Sequence, residues 1–146
     1  MPVLTSPDLA DPAARAAILA TIRPEDAPAH HDILRAIFRA EMAYRAHDGV
    51  LEHYENIYWC GLLLFHVGAL EDVPTMWAAK RINMDTGVGF DIQALVGAGV
   101  DATIDHLAGR GHAAIADALC SARDDGDLDD LAAWAAAQRA YFYGDD

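Results

Sequence analysis

WCGLLLFHVGALEDVPTMWAAKRINMDTGVGFDIQALVGAG, residues 59–99, is the stretch whose reading decides the fold. Its first nine residues continue a helix that is apolar all round after Ile57, and a helix without a polar face must be enclosed by other elements. A dense run of polar residues and glycines follows at once, and nowhere else in the chain do these two features meet. The helix is expected over residues 50–67, with Gly68 ending it, and it becomes the centre of the fold.

Working toward the N-terminus, the pattern stays helical. His47-Asp48-Gly49 closes a preceding helix that begins after Arg23-Pro24-Glu25-Asp26. Leu34, Ile37, Phe38 and Met42 form its apolar side at three- and four-residue steps, opposite Asp32, Arg35 and Arg39. Asp11-Pro12 caps and starts a shorter helix to Thr21, and residues 1–11 read as an extended arm.

Working toward the C-terminus, Asp72-Val73-Pro74 starts a short helix to Ile82, residues 83–89 break it, and Phe90 to Val96 recovers another. Val100, Ile104 and Leu107 mark the next, Ile115, Leu119 and Cys120 the one after, and Leu128, Leu131, Trp134 and Ala135 the last. No segment alternates apolar and polar residues with strand formers. The chain is therefore expected to be all-α, a single domain built as an irregular multi-helix bundle or a short HEAT-like stack of helical hairpins.

The chain has 146 residues, 53% of them hydrophobic, which suits one domain with a core of its own. A formal charge of −13 argues against nucleic acid and anionic membrane as partners, since both present phosphates to an acidic surface. Such a charge either simply keeps a helical protein soluble or favours a basic protein partner. The start of the chain lacks a signal-peptide pattern, and Ile57 to Leu70 falls short of the roughly 18 to 20 apolar residues a bilayer requires. Cys60 and Cys120 have neither metal nor redox spacing and read as reduced thiols, so the expected location is cytoplasmic.

Chemistry-bearing constellations are incomplete. Glu52, His53, Glu55 and His66 share the central helix, yet thirteen residues separate the histidines, about 220° of rotation, and no second helix offers a matching ligand pair. Asp124 to Asp130 resembles half a calcium loop, but Ala136 stands where the bidentate glutamate belongs. Gly87-Val88-Gly89 and Gly97-Ala98-Gly99 follow no strand and lack the lysine and hydroxyl of a phosphate loop. Cys60 lies among leucines, where burial raises a thiol pKa, and Ser6 and Ser121 occupy no nucleophile elbow. No catalytic residue, metal or cofactor is assigned.

What remains is the polar group Lys80, Arg81, Asn83, Asp85, Thr86, Asp91 and Gln93, with Trp77 beside it. One reading makes it an internal buttress. Asp85 or Asp91 would cap the helix at Phe90, Lys80 or Arg81 would pair with one of them, and Gln93 would satisfy loop backbone. The other places Trp77, Lys80, Arg81, Asn83, Asp85, Asp91 and Gln93 on a partner- or ligand-binding surface, because loops between rigid helices commonly carry recognition.

The segment MWAAKRINMDTGVGFDIQALVGAGVDATIDHL, residues 76–107, resembles a stretch found in small, uncharacterised bacterial helical proteins. Trp77, Lys80, Asn83, Asp85, Gly89, Asp91, Gln93, Gly97, Ala98 and Gly99 carry the likeness. Such proteins are associated with the immunity partners of bacterial toxins, and the Ala- and Asp-rich composition resembles that of a high-GC bacterium. The resemblance implies a role as an immunity-type inhibitor of a basic toxin, and it supplies no catalytic residue. Tyr141, Phe142 and Tyr143 are expected as surface anchors for that partner. A small-ligand site or enzyme centred on Lys80, Asp85 and Asp91, and an oligomeric helical scaffold, are the alternatives.

Overall fold

The computed structural model describes residues 9–47 and 51–144. The described part is an irregular bundle of short helices and contains no strand. In chain order these are α1 (Pro12–Ala20), α2 (His31–Arg45), α3 (Asn56–Val67), α4 (Val73–Lys80), α5 (Met84–Gly89), α6 (Val100–Gly109), α7 (Ala113–Asp124) and α8 (Leu131–Tyr143). Three 3-10 segments, Pro24–His30, Leu70–Asp72 and Ile92–Val96, join them.

The apolar helix is at the centre, as its composition requires. α3 packs on α1, α2, α8 and the 3-10 segments Pro24–His30 and Ile92–Val96. Ile57, Cys60, Leu62, Leu63 and Leu64 are buried, and each fully buried aliphatic side chain contributes about 1.5 to 3 kcal/mol of transfer free energy. Gly61 exists because of this crowding. A Cβ there would lie 2.8 Å from the Phe90 ring, which sits edge-on to Phe38 at 5.8 Å. Gly68 ends α3 in the left-handed conformation, with φ 68°.

α3 begins at Asn56, six residues later than the pattern suggested. Residues 52–55 form a turn in which His53 takes a φ of 57°, and Asn56 leaves that turn to anchor the helix inside the protein. Its Nδ2 donates to the Pro12 carbonyl at 3.0 Å and to Glu41 at 3.2 Å. The expected closure at Gly49, the start at Val50 and residues 1–8 of the expected N-terminal arm lie outside the described residues, and Leu9 and Ala10 are helical.

Two other boundaries differ for identifiable reasons. Residues 24–30 form a 3-10 segment ahead of α2 because Pro28 has no N–H to give an α-helical ladder. Residues 83–89, expected to break the chain, contain α5. Asn83 accepts from the Thr86 N–H at 2.9 Å while the Thr86 hydroxyl accepts from the Asn83 N–H at 3.1 Å. This reciprocal cap satisfies the first free donors of the helix and outweighs its two glycines. α4 ends at Lys80 rather than Ile82, and the segment after Phe90 is 3-10 from Ile92.

α6 and α7 pack against each other as a hairpin, and α8 packs on α3. The Tyr143 hydroxyl donates to the Ile22 carbonyl at 2.5 Å and accepts from the Trp59 indole at 3.0 Å. Burial holds that hydroxyl above the usual tyrosine range. Trp134 meets Phe65 edge-on at 5.0 Å. Among the described residues, no helix is long and apolar enough to cross a membrane.

Candidate functional site

The central polar group is mostly consumed within the fold. Lys80 Nζ donates to the carbonyls of Gly87 and Phe90, both at 2.6 Å, and so closes the C-terminal end of α5. Desolvation pulls its pKa below the ordinary lysine value, an effect the nearby Asp91 opposes. Asp91 faces the other way and accepts from the Trp134 indole at 3.0 Å and from Gln138 at 3.4 Å, tying α8 to the body. Gln93 donates to the Asp127 carbonyl at 3.1 Å. Arg81 lies 5.7 Å over the Trp77 ring.

Asp91 stands at the N-cap of the Ile92–Val96 segment but makes no side-chain capping bond there; Asn83 caps α5 instead, and its Nδ2 also donates to the Arg45 carbonyl at 3.0 Å. Asp85 is exposed and receives the Tyr58 hydroxyl on its backbone carbonyl at 3.2 Å. Lys80, Asp85 and Asp91 therefore do not converge on one cavity. Of the seven residues singled out, Asn83 and Asp85 line a sizeable depression.

That depression is a groove of about 800 Å³. The end of α2 supplies Arg45 and His47, the turn and first residues of α3 supply Leu51, Tyr54 and Tyr58, and α5 supplies Asn83, Met84, Asp85, Val88 and Gly89. Gly89 lets the Tyr58 ring lie close, since a Cβ would fall 2.5 Å from it. Arg45 stiffens the wall. Its guanidinium lies 5.7 Å from the Tyr54 ring centre and 5.3 Å from that of Tyr58, and it donates to the Tyr54 carbonyl at 2.7 Å.

On the other side of Tyr54 lies a smaller cleft of about 350 Å³ between the start of α3 and the end of α8. Trp59, Phe142, Tyr141 and Glu55 line it together with His53 and Tyr54. Large hydrophobic side chains exposed at the surface are Tyr54 at 51%, Met84 at 84%, Val88 at 79% and Tyr141 at 64%. All four line one or other of these two depressions, which share Tyr54.

Apart from Asn83 and Asp85, the groove is lined by residues outside the central polar group. The available signal was the pair Met84 and Val88, four apart and thus on one face of a helix, opposite the buried Thr86 and Phe90. Tyr141 and Phe142, expected as surface anchors, line the smaller cleft, while Tyr143 is half-buried in the internal bonds already described.

The remaining candidates have local roles. Cys60 is fully buried, with Sγ 3.3 Å from the Leu34 carbonyl, and burial lifts its pKa well above the ordinary thiol value. His66 stands edge-on to Phe65, and its pKa is lowered by desolvation first and then by Arg139. Among the described residues, no group of three or more His, Cys, Asp or Glu side chains is arranged to hold a metal ion. Comparison with family models, with curated proteins and with solved structures finds no match.

Proposed function

We propose that this chain is an acidic protein-binding module whose docking face runs across the groove and the smaller cleft on either side of Tyr54. One observation carries the reading. All the exposed large hydrophobic side chains of the described residues collect on this face rather than scattering singly, which is the usual mark of an interaction surface.

The partner is a basic protein that inserts apolar side chains between Tyr58, Met84 and Val88. Asp85 lies in the groove, and the field beyond contact range is negative. Between residues 101 and 130 eight exposed aspartates face only two arginines. Such a field raises the rate of encounter with a cationic surface more than it tightens the final complex. An immunity-type inhibitor seated on a basic toxin is a role of this kind.

The test is a pair of charge insertions, Met84→Asp and Val88→Asp, at positions that contact little of the core. They should leave the melting temperature unchanged and abolish binding of the partner captured by the wild-type chain. For the wild type, the association rate should fall steeply as salt rises from about 50 to 500 mM. Undiminished binding by the double variant, or association indifferent to salt, refutes the proposal. A doubled mass in light scattering that the same substitutions reduce to one copy would favour the oligomeric scaffold.

A further inference from the structure

The smaller cleft has a chemistry that the docking face does not require. Trp59 and Phe142 stack in parallel, with ring centres 5.5 Å apart and planes 11° apart, and Tyr141 meets Phe142 edge-on at 4.9 Å. Tyr143 braces Trp59 from a perpendicular orientation at 5.7 Å. The Tyr141 hydroxyl hydrogen-bonds the Glu55 carboxylate, which raises the pKa of that phenol. The cleft is thus walled by aromatic rings and holds one carboxylate. Its described lining includes no lysine or arginine.

Aromatic faces carry negative quadrupolar potential and attract weakly hydrated cations, most effectively around tryptophan. A carboxylate at the rim adds a point charge and a hydrogen-bond acceptor. The neighbourhood already uses this attraction internally, with the Arg23 guanidinium 5.0 Å over the Tyr143 ring. A small inorganic ion is a poorer match, because it would exchange its water shell for ring faces and a single carboxylate. The volume of about 350 Å³ is ample for one such organic group.

We propose that the cleft formed by Tyr54, Glu55, Trp59, Tyr141 and Phe142 is a binding site for an organic cation, either an alkylammonium or a guanidinium group. Such a group has two sources, a free small molecule and a lysine or arginine side chain of a protein. The proposal stands whether or not the groove beyond Tyr54 docks a partner.

The test uses the intact chain labelled with ¹⁵N at about pH 8, where imidazoles are neutral, and follows the indole N–H signals of Trp59, Trp77 and Trp134. Probes are tetramethylammonium, N-acetyl-arginine amide, a short neutral-flanked arginine peptide, the uncharged isostere tert-butanol, and sodium chloride at matched ionic strength. Both organic cations should shift the Trp59 signal in a saturable manner, while Trp77 and Trp134, which lie off the cleft, stay in place as reporters of an intact fold. Glu55→Gln should weaken binding about fivefold, the scale of one partly exposed charge contact. Tyr141→Ala should weaken it similarly, and Tyr141→Phe, which keeps the ring, should retain it.

Tighter binding of the peptide than of either free cation would assign the source to a protein side chain; the reverse would assign it to a small molecule. The proposal is overturned if Trp59 does not respond to any cation. It is also overturned if tert-butanol binds as well as tetramethylammonium and Glu55→Gln changes nothing.

Discussion

Replacing Glu41 by leucine should cost about 3 kcal/mol, and replacing Arg15 by methionine in the same chain should restore most of the loss. Both residues are closed off from solvent, Arg15 at 2% exposure and Glu41 at 0%. Arg15 Nε donates to Glu41 Oε2, and its Nη1 donates to the Leu9 carbonyl at 2.5 Å. Without Glu41 the guanidinium remains charged, because arginine does not deprotonate in proteins. Stranding one member of a buried pair costs about 3 to 5 kcal/mol. The lower end applies because Arg15 keeps Leu9, and Asn56 keeps its bond to the Pro12 carbonyl.

For a chain of this length that loss lowers the melting temperature by about 6 to 12 °C. The double replacement should fall within about 1 kcal/mol of wild type, because an apolar pair of similar volume substitutes well for buried ions. It also removes two buried atoms without a hydrogen-bond partner, Arg15 Nη2 and Glu41 Oε1. Urea unfolding followed by far-ultraviolet circular dichroism measures all four corners of the cycle. A single variant that loses less than about 1 kcal/mol, or a double variant whose losses simply add, would refute the argument.

Two further outcomes are expected. Lys80→Met should destabilise by about 2 kcal/mol, since it removes two hydrogen bonds from a charged donor and leaves the Gly87 and Phe90 carbonyls short of a partner; urea unfolding with no loss would show that these bonds carry no weight. His66 should make the fold acid-sensitive. Its folded pKa lies below the ordinary histidine value, so as pH falls through about 6.5, where a free imidazole titrates, the unfolded chain takes up a proton first and stability declines. His66→Gln should flatten the stability profile between about pH 7 and 5, and an unchanged slope would contradict it.

The fold was legible where one physical effect dominated. The run from Ile57 to Val67 has no polar side, so enclosure was the only stable outcome, and α1, α2 and α8 supply the enclosure. Gly68 ended α3 as expected because a left-handed residue was needed at that point. Gly97 shows a limit of the same reading. Its glycine character was visible, but its reason is an approach so close that a Cβ would fall 1.9 Å from the Phe65 carbonyl oxygen. A contact between residues 65 and 97 cannot be read from local propensity. α5 was missed in a similar way: Gly87 and Gly89 argued against a helix, and the reciprocal Asn83–Thr86 cap decided for one.

The site was harder to read because burial reversed the meaning of its residues. In a sequence, Lys80, Asp91 and Gln93 look available for recognition, while Met84 and Val88 are apolar residues within a stretch expected to break the chain. The fold assigns them oppositely: Lys80 and Asp91 spend their hydrogen bonds on α5 and α8, and Met84 and Val88 stand at 84% and 79% exposure. The informative residues are those that depart from the rule of polar outside and apolar inside, and such a departure is visible only when position is known. The two kinds are linked here. Lys80 can close the end of α5 only while it points inward, and the helix it closes turns Met84 and Val88 outward into the groove. The internal use of the polar group is therefore what leaves the apolar side of α5 exposed.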